Sequence, residues 1–158
     1  FLRFIEAFQF FRLLGGVRVL GAFVDAEIAE LSASERTMRQ HALHGLLDDT
    51  LLFITSDHGE QLGQHDIWGH AALHDAETRI PLIMRLPGLL PAGCRVAGLC
   101  QQIDVLPTIV DLLGRDLSAL EVDGLSLTPL IAGRQIRDHI VEENASGQRA
   151  LRTHRFHL

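Results

Sequence analysis

The residues from Thr50 to Thr55 (Thr-Leu-Leu-Phe-Ile-Thr) are all apolar or β-branched, and the chain turns polar immediately afterwards at Ser56-Asp57-His58-Gly59-Glu60. A short apolar run without alternation suits a strand covered on both faces, as in a parallel sheet flanked by helices. Such a strand constrains the chain strongly. It demands helices on both sides of the sheet, and it delivers the residues past its carboxyl end to the edge where open α/β sheets bind ligands. Asp57 and His58 stand at that edge. A carboxylate oxygen and a neutral imidazole nitrogen held together suit a divalent cation, and Gly59 lets the backbone turn sharply behind them. On spacing alone, a plain turn with a hydrogen-bonded histidine is the alternative.

The pattern on either side supports an α/β arrangement. Apolar residues at Ile28, Leu31, Met38, Ala42 and Leu46 recur at helical spacing, with Asp25 as the N-cap and Gly45 near the end. Residues 57–78 show no clean period and read as a loop. Ile80-Pro81-Leu82-Ile83-Met84-Arg85-Leu86 reads as a second buried strand, with Pro81 at its start, where a missing N–H is tolerated. Asp104 to Gly114 reads as a helix with Asp first, Pro in the first turn and Gly at the stop. Ser126 to Ile131 suits one helical turn. Asp138–Glu142 and Ala150–Thr153 suit strands, and Arg155–Leu158 suits a segment that pairs back on them. The alternation of helix and buried strand predicts α/β, with a mostly parallel sheet and the start of a small C-terminal antiparallel hairpin.

Bulk properties narrow the function classes. A chain of 158 residues is the size of one domain. The formal net charge of −6 argues against nucleic-acid binding, which needs a clustered basic face. No membrane-spanning stretch is expected: the opening Phe1–Leu14 is apolar but short, interrupted by Arg3, Glu6 and Arg12, and better suited to an amphipathic segment. The chain opens at Phe1 rather than Met, so a natural start upstream is expected. Cys94 and Cys100 form no repeated thiolate pattern and read as buried or inert thiols. His41 and His44 could share a helix face, but no acidic partner completes a zinc motif, so they read as surface histidines. His65, His70 and His74 follow His58 in a loop with little packing reason for them.

Taken together and in order, several blocks resemble the sulfatase family of the alkaline-phosphatase superfamily. Thr55-Ser56-Asp57-His58-Gly59-Glu60-Gln61-Leu62-Gly63 is similar to that family's second metal-binding segment. Trp68-Gly69-His70, Leu73-His74-Asp75, Arg79-Ile80-Pro81-Leu82-Ile83 and Leu86-Pro87-Gly88 follow in the family's order. Asp104-Val105-Leu106-Pro107-Thr108, Asp123-Gly124-Leu125-Ser126-Leu127 with Pro129-Leu130, and Leu151-Arg152-Thr153 with Arg155-Phe156 continue it. The resemblance covers about residues 22–158, so the whole chain reads as part of one alkaline-phosphatase-like catalytic domain.

That resemblance implies a hydrolase of sulfate esters, acting on a small molecule or a sulfated glycan with a formylglycine nucleophile beside one divalent cation. Asp57 and His58 would be two of the metal ligands. Calcium is the expected ion; many relatives carry Asn where His58 stands, which leaves manganese and zinc open. His70 stands where relatives place a Lys or His that contacts the sulfate or assists the leaving group, work that suits an imidazole. His65 is a weaker candidate, His74 stands at a packing position, and Arg79 braces the following strand. No Cys or Ser here begins a Cys/Ser-x-Pro-x-Arg segment, so the nucleophile is not in these residues. The isolated chain is therefore expected to be inactive, and to belong to a longer polypeptide or to pair with an N-terminal piece or a second copy. Phosphodiesterases, phosphonate monoester hydrolases and phosphoethanolamine transferases of the same superfamily share the Asp-His-Gly-Glu signature. They are the second reading; a truncated, non-catalytic interaction module is the third.

Overall fold

The computed structural model describes residues 10–12, 18–23, 42, 44–118 and 121–158. Its strands are β1 (Phe10–Arg12), β2 (Arg18–Phe23), β3 (Thr50–Thr55), β4 (Gln61–Leu62), β5 (Trp68–Gly69), β6 (Leu82–Arg85), β7 (His139–Glu143) and β8 (Arg149–Thr153). Its helices are α1 (Asp75–Thr78), α2 (Val105–Leu112) and α3 (Thr128–Ile131), with short 3₁₀ turns at Leu46–Asp49, Gln64–Asp66 and Gln102–Asp104. They fall in two compact units, one of Phe1–His70 with Arg79–Ala92, the other of Ala71–Thr78 with Gly93–Leu158.

The first unit is built on a sheet in the order β1-β2-β3-β6. The expected burial of β3 holds: Leu51, Leu52 and Phe53 are all buried, as are Thr50 and Thr55. Thr50 hands its hydroxyl proton back to the Leu46 carbonyl, which closes the turn that leads into the strand. The sheet itself is mixed rather than mostly parallel. Among the described residues only the β2–β3 pairing is parallel, while β1–β2 and β3–β6 are antiparallel.

The 80–86 run is not a strand buried on both faces either. β6 begins at Leu82, just after Pro81, and its burial alternates, with Ile83 and Arg85 turned outward. Among the described residues β6 pairs with β3 alone, so it forms an edge. An edge strand tolerates an outward Ile and Arg, and Arg85 donates to the Leu47 carbonyl at 2.5 Å. A run of apolar letters specifies neither strand direction nor neighbour number, and that is where the expectation went astray. Most of the helix expected over 25–46 and of the opening segment lies outside the described residues; Phe10–Arg12, within that opening, is the strand β1.

The second unit is organised by α2. Its helix starts at Val105, because Asp104 closes a preceding 3₁₀ turn instead of standing outside as an N-cap: its carboxylate accepts from the Gln101 amide at 2.7 Å. The same fully buried carboxylate takes both Arg137 guanidinium nitrogens at 2.6 Å and the Leu125 amide at 2.9 Å. One turn on, the buried Thr108 hydroxyl receives the Leu127 amide at 2.9 Å. Asp111 accepts the hydroxyls of Ser126 and Thr128. Asp104, Thr108 and Asp111 lie at i, i+4 and i+7, so one helix face carries three acceptors for the Asp123–Thr128 turn. Gly124 is obligatory there: a Cβ would sit 2.0 Å from the Ile103 carbonyl oxygen.

β7 and β8 stand at the two expected strand segments and pair antiparallel with each other, and the last residues pair back, as expected of 155–158, through an Arg152–His157 bridge. Arg152 joins Glu142 at 2.8 Å and Asp75 at 2.6 Å, and His157 lies 2.8 Å from Glu142. No helix among the described residues is long and apolar enough to cross a membrane.

Candidate functional site

Residues 57–78, which read as a loop, contain a short antiparallel hairpin: Gln61 pairs with Gly69 and Leu62 with Trp68. Two strand residues on each arm are too few to leave a periodic signature. The register nevertheless has a chemical result. It sets Glu60 across from His70, and the Glu60 Oε2 lies 3.0 Å from the His70 Nδ1.

Ser56, the first residue past β3, sets the path of the chain into the site. Its hydroxyl donates to the His58 carbonyl at 2.7 Å, folding the backbone so that Asp57 and His58 leave the strand together. The Asp57 Oδ1 accepts the His58 amide at 2.9 Å. The Asp57 Oδ2 then lies 3.7 Å from the His58 Nε2. On the other side of the ring, the His58 Nδ1 sits 2.9 Å from the Gly59 carbonyl oxygen. A carbonyl can only accept, so Nδ1 carries the proton and Nε2 offers a lone pair. This is how histidines that ligate metals are usually oriented: the far nitrogen donates to a carbonyl or carboxylate, fixing tautomer and ring angle.

The donor set fits the implied cation. Neighbouring oxygen or nitrogen ligands around an ion at about 2.3 Å stand roughly 3.2 Å apart in an octahedral arrangement. The 3.7 Å bite of Asp57 and His58 needs only a small closing movement.

His58, Glu60 and His70 also come together, each offering a donor atom within 4.8 Å of the others. The two imidazoles are stacked, centroids 4.0 Å apart and planes 21° from parallel. Imidazole lone pairs lie in the ring plane, so nearly parallel rings do not aim both at one point. A shared ion would require one ring to turn. As arranged, Glu60 accepts from the His70 Nδ1, and the His70 side chain is half exposed, which suits proton transfer or an anion contact.

Of the candidate residues, His58 and His70 are thus brought together and Asp57 adjoins them. His65 is not part of the group. It lies in the 3₁₀ turn at Gln64–Asp66, exposed, with φ +56°, and Asp66 after it is likewise at φ +59°. His74 is half-buried in the other unit, where its carbonyl accepts the Glu77 and Thr78 amides and opens α1. His44 is exposed, and His41 lies outside the described residues. Cys94 and Cys100 are exposed rather than buried. Sequence reasoning did not single out Glu60 for a role; the only signal was its place opposite His70 across a glycine-containing turn.

Known proteins share both the sequence pattern and the fold. The family model described as Sulfatase matches residues 40–115, a span that holds β3, the hairpin, β6 and all of α2. The chain carries part of a sulfatase-family domain. It is 31% identical over 127 residues to the choline-sulfatase of Rhizobium meliloti (strain 1021), covering 79% of this chain and 23% of that protein. Among solved structures, the phosphonate monoester hydrolase SpPMH from Silicibacter pomeroyi superposes with a TM-score of 0.68 at 31% identity. That alignment covers 80% of this chain and 29% of SpPMH. BT4656, solved in complex with its substrate D-glucosamine-2-N,6-O-disulfate, gives a TM-score of 0.65 at 25% identity, over 75% of this chain and 26% of its own. The sulfatase-family part thus spans about a quarter of the length of these relatives, and it has an alkaline-phosphatase-superfamily fold.

Proposed function

We propose that this chain supplies one side of the active site of a metal-dependent sulfuric ester hydrolase, with Asp57 and His58 as two ligands of a single divalent cation. The observation that carries the reading is the Gly59 carbonyl holding the His58 Nδ1 proton, which leaves an unprotonated Nε2 3.7 Å from the Asp57 carboxylate. When bound, the ion would polarise the ester's sulfuryl oxygens. Calcium fits the carboxylate; the imidazole also admits manganese or zinc.

The chain's own residues do the rest. The His58 amide holds Asp57 in place. Glu60 holds the His70 Nδ1–H in a hydrogen bond; in the imidazolium form the His70 Nε2–H would touch a sulfuryl oxygen or hand its proton to the departing alcohol, leaving the Nδ1–H on Glu60. The substrate is a sulfate ester of a small molecule or of a glycan, a class supported by the BT4656 complex. The similarity to SpPMH favours one alternative of the same superfamily, a phosphonate monoester hydrolase, because polarising a phosphoryl group makes similar demands.

Calorimetric titration of the full chain with calcium, manganese and zinc tests the reading. One-site binding by at least one ion is expected, weakened in Asp57→Ala by more than the roughly 10- to 100-fold that loss of an outer-shell partner costs. Inorganic sulfate should then bind the loaded chain and lose affinity in His70→Ala. Phosphate binding far more tightly than sulfate would favour the phosphonate alternative. No binding of any of the three metals would sink the metal reading and leave a non-catalytic module.

A further inference from the structure

The hairpin that carries His70 has a second feature, and it is apolar. The register places Gln61 opposite Gly69 and Leu62 opposite Trp68. Side chains alternate between faces along a strand, so Glu60, Leu62, Trp68 and His70 project from one face and Gln61 from the other. Burial agrees with that division. Gln61 is fully buried, whereas Leu62 is 66% exposed and Trp68 is 77% exposed.

The indole is seated rather than loose. Its benzo edge lies over Gly63, where an added Cβ would stand 3.3 Å from the ring, so the glycine leaves room for it. A large aromatic held on a turn with most of its surface open is an unusual use of apolar area. Here it adjoins a cluster of polar donors on the same face. Two strand residues span about 6.8 Å along the backbone, so the indole and the His70 imidazole rise from the same face of β5 one pleat repeat apart.

We propose that Trp68, flanked by Leu62, is a specificity-determining platform for the ring of a sulfate monoester whose sulfate is held at the His58–Glu60–His70 end. The ring is a pyranose or an aryl group; both present a flat, weakly polar face to an indole. The platform rests on the sulfate-ester reading of the site.

Trp68 is the chain's single tryptophan, which makes the test direct. The full chain, saturated with calcium, is titrated with inorganic sulfate, ethyl sulfate, 4-nitrophenyl sulfate and glucosamine 6-sulfate, by calorimetry. Indole fluorescence is followed for ethyl sulfate and glucosamine 6-sulfate, which do not absorb. The ring-bearing esters should bind about tenfold more tightly than ethyl sulfate, the size of an aromatic contact. Glucosamine 6-sulfate should shift the indole emission and ethyl sulfate should not. In Trp68→Ala the ratio of ring-bearing to ring-free affinity should fall toward one, and Trp68→Phe should restore most of it. The two ring-bearing ligands, compared with each other, tell a sugar platform from an aryl one.

Equal binding of ring-bearing and ring-free esters would overturn the platform while leaving the sulfate reading intact. So would a Trp68→Ala effect that weakens every sulfate alike, since that is what a merely structural role produces. Failure of every sulfate to bind would overturn both.

Discussion

At the scale of single residues, the chain is most informative where polar groups are placed without compromise. The His58 ring is pinned through Nδ1, the His70 ring through Glu60, and Asp57 through the backbone amide after it. The first and third are contacts between neighbours in sequence, and the second spans the β4–β5 hairpin. Gln61 is the counterexample. It is fully buried between Glu60 and Leu62, yet among the described residues neither its amide oxygen nor its nitrogen has a hydrogen-bond partner. A buried amide without partners costs about 1–3 kcal/mol, and an apolar group of the same shape does not incur that cost. Gln61→Met, which conserves length and volume, is therefore expected to stabilise the first unit by about 1–3 kcal/mol. Urea denaturation followed by circular dichroism checks it. A destabilised Gln61→Met would mean that the amide is satisfied by ordered water.

At the scale of elements, what could be read in advance depended on how long a pattern ran. Thr50–Thr55 was legible as a buried strand because its six residues are apolar or β-branched throughout. β7 and β8 were legible as strands but not as partners of each other, and α2 was legible because Pro107 and Gly114 punctuate it. β4 and β5 were not, since a two-residue strand has no period. The direction and edge position of β6 were not, because they depend on a neighbour that composition does not name. The turn at Asp123–Thr128 sits between these cases. Its letters were recognisable as a motif, but their purpose, hydrogen-bonding to the acceptor face of α2, is a tertiary fact. That turn also carries a pH dependence. The Ser126 hydroxyl, and after it the Thr128 hydroxyl, hold the Asp111 carboxyl below its ordinary value. A carboxyl whose folded value is depressed stabilises the fold above its unfolded value of about 3.9, and that contribution is lost as pH falls through the folded value. Asp111→Asn should thus lower the thermal midpoint at about pH 6, with the gap to the parent chain shrinking as pH drops below about 4. Asp111 is only partly shielded from water, so screening keeps the effect modest. A gap that stays constant from about pH 6 to about pH 3 would show that the hydrogen bonds, and not the charge, account for it.

At the scale of the whole molecule, the question is how much of a catalytic apparatus a chain spanning about a quarter of its relatives' length can carry. The family was legible from the sequence because its blocks occur in order over most of the chain, and the fold agrees. The site was legible as far as Asp57, His58 and His70; the Glu60 contact and the Trp68 face required the hairpin register. The chemistry beyond that is a matter of counting donors. Calcium takes six or more oxygen ligands, and Asp57 with His58 supplies two protein donors. No Cys or Ser in these 158 residues begins the Cys/Ser-x-Pro-x-Arg segment that resemblance to sulfatases would require of a nucleophile. Metal binding and turnover are therefore expected to separate. The purified chain should take up a cation through Asp57 and His58 while leaving 4-nitrophenyl sulfate uncleaved, as measured by release of nitrophenol at saturating calcium, manganese or zinc. Metal-dependent release that disappears in Asp57→Ala would overturn this, and would mean that a nucleophile of a different kind, such as water activated by the Glu60–His70 pair, suffices for the reaction.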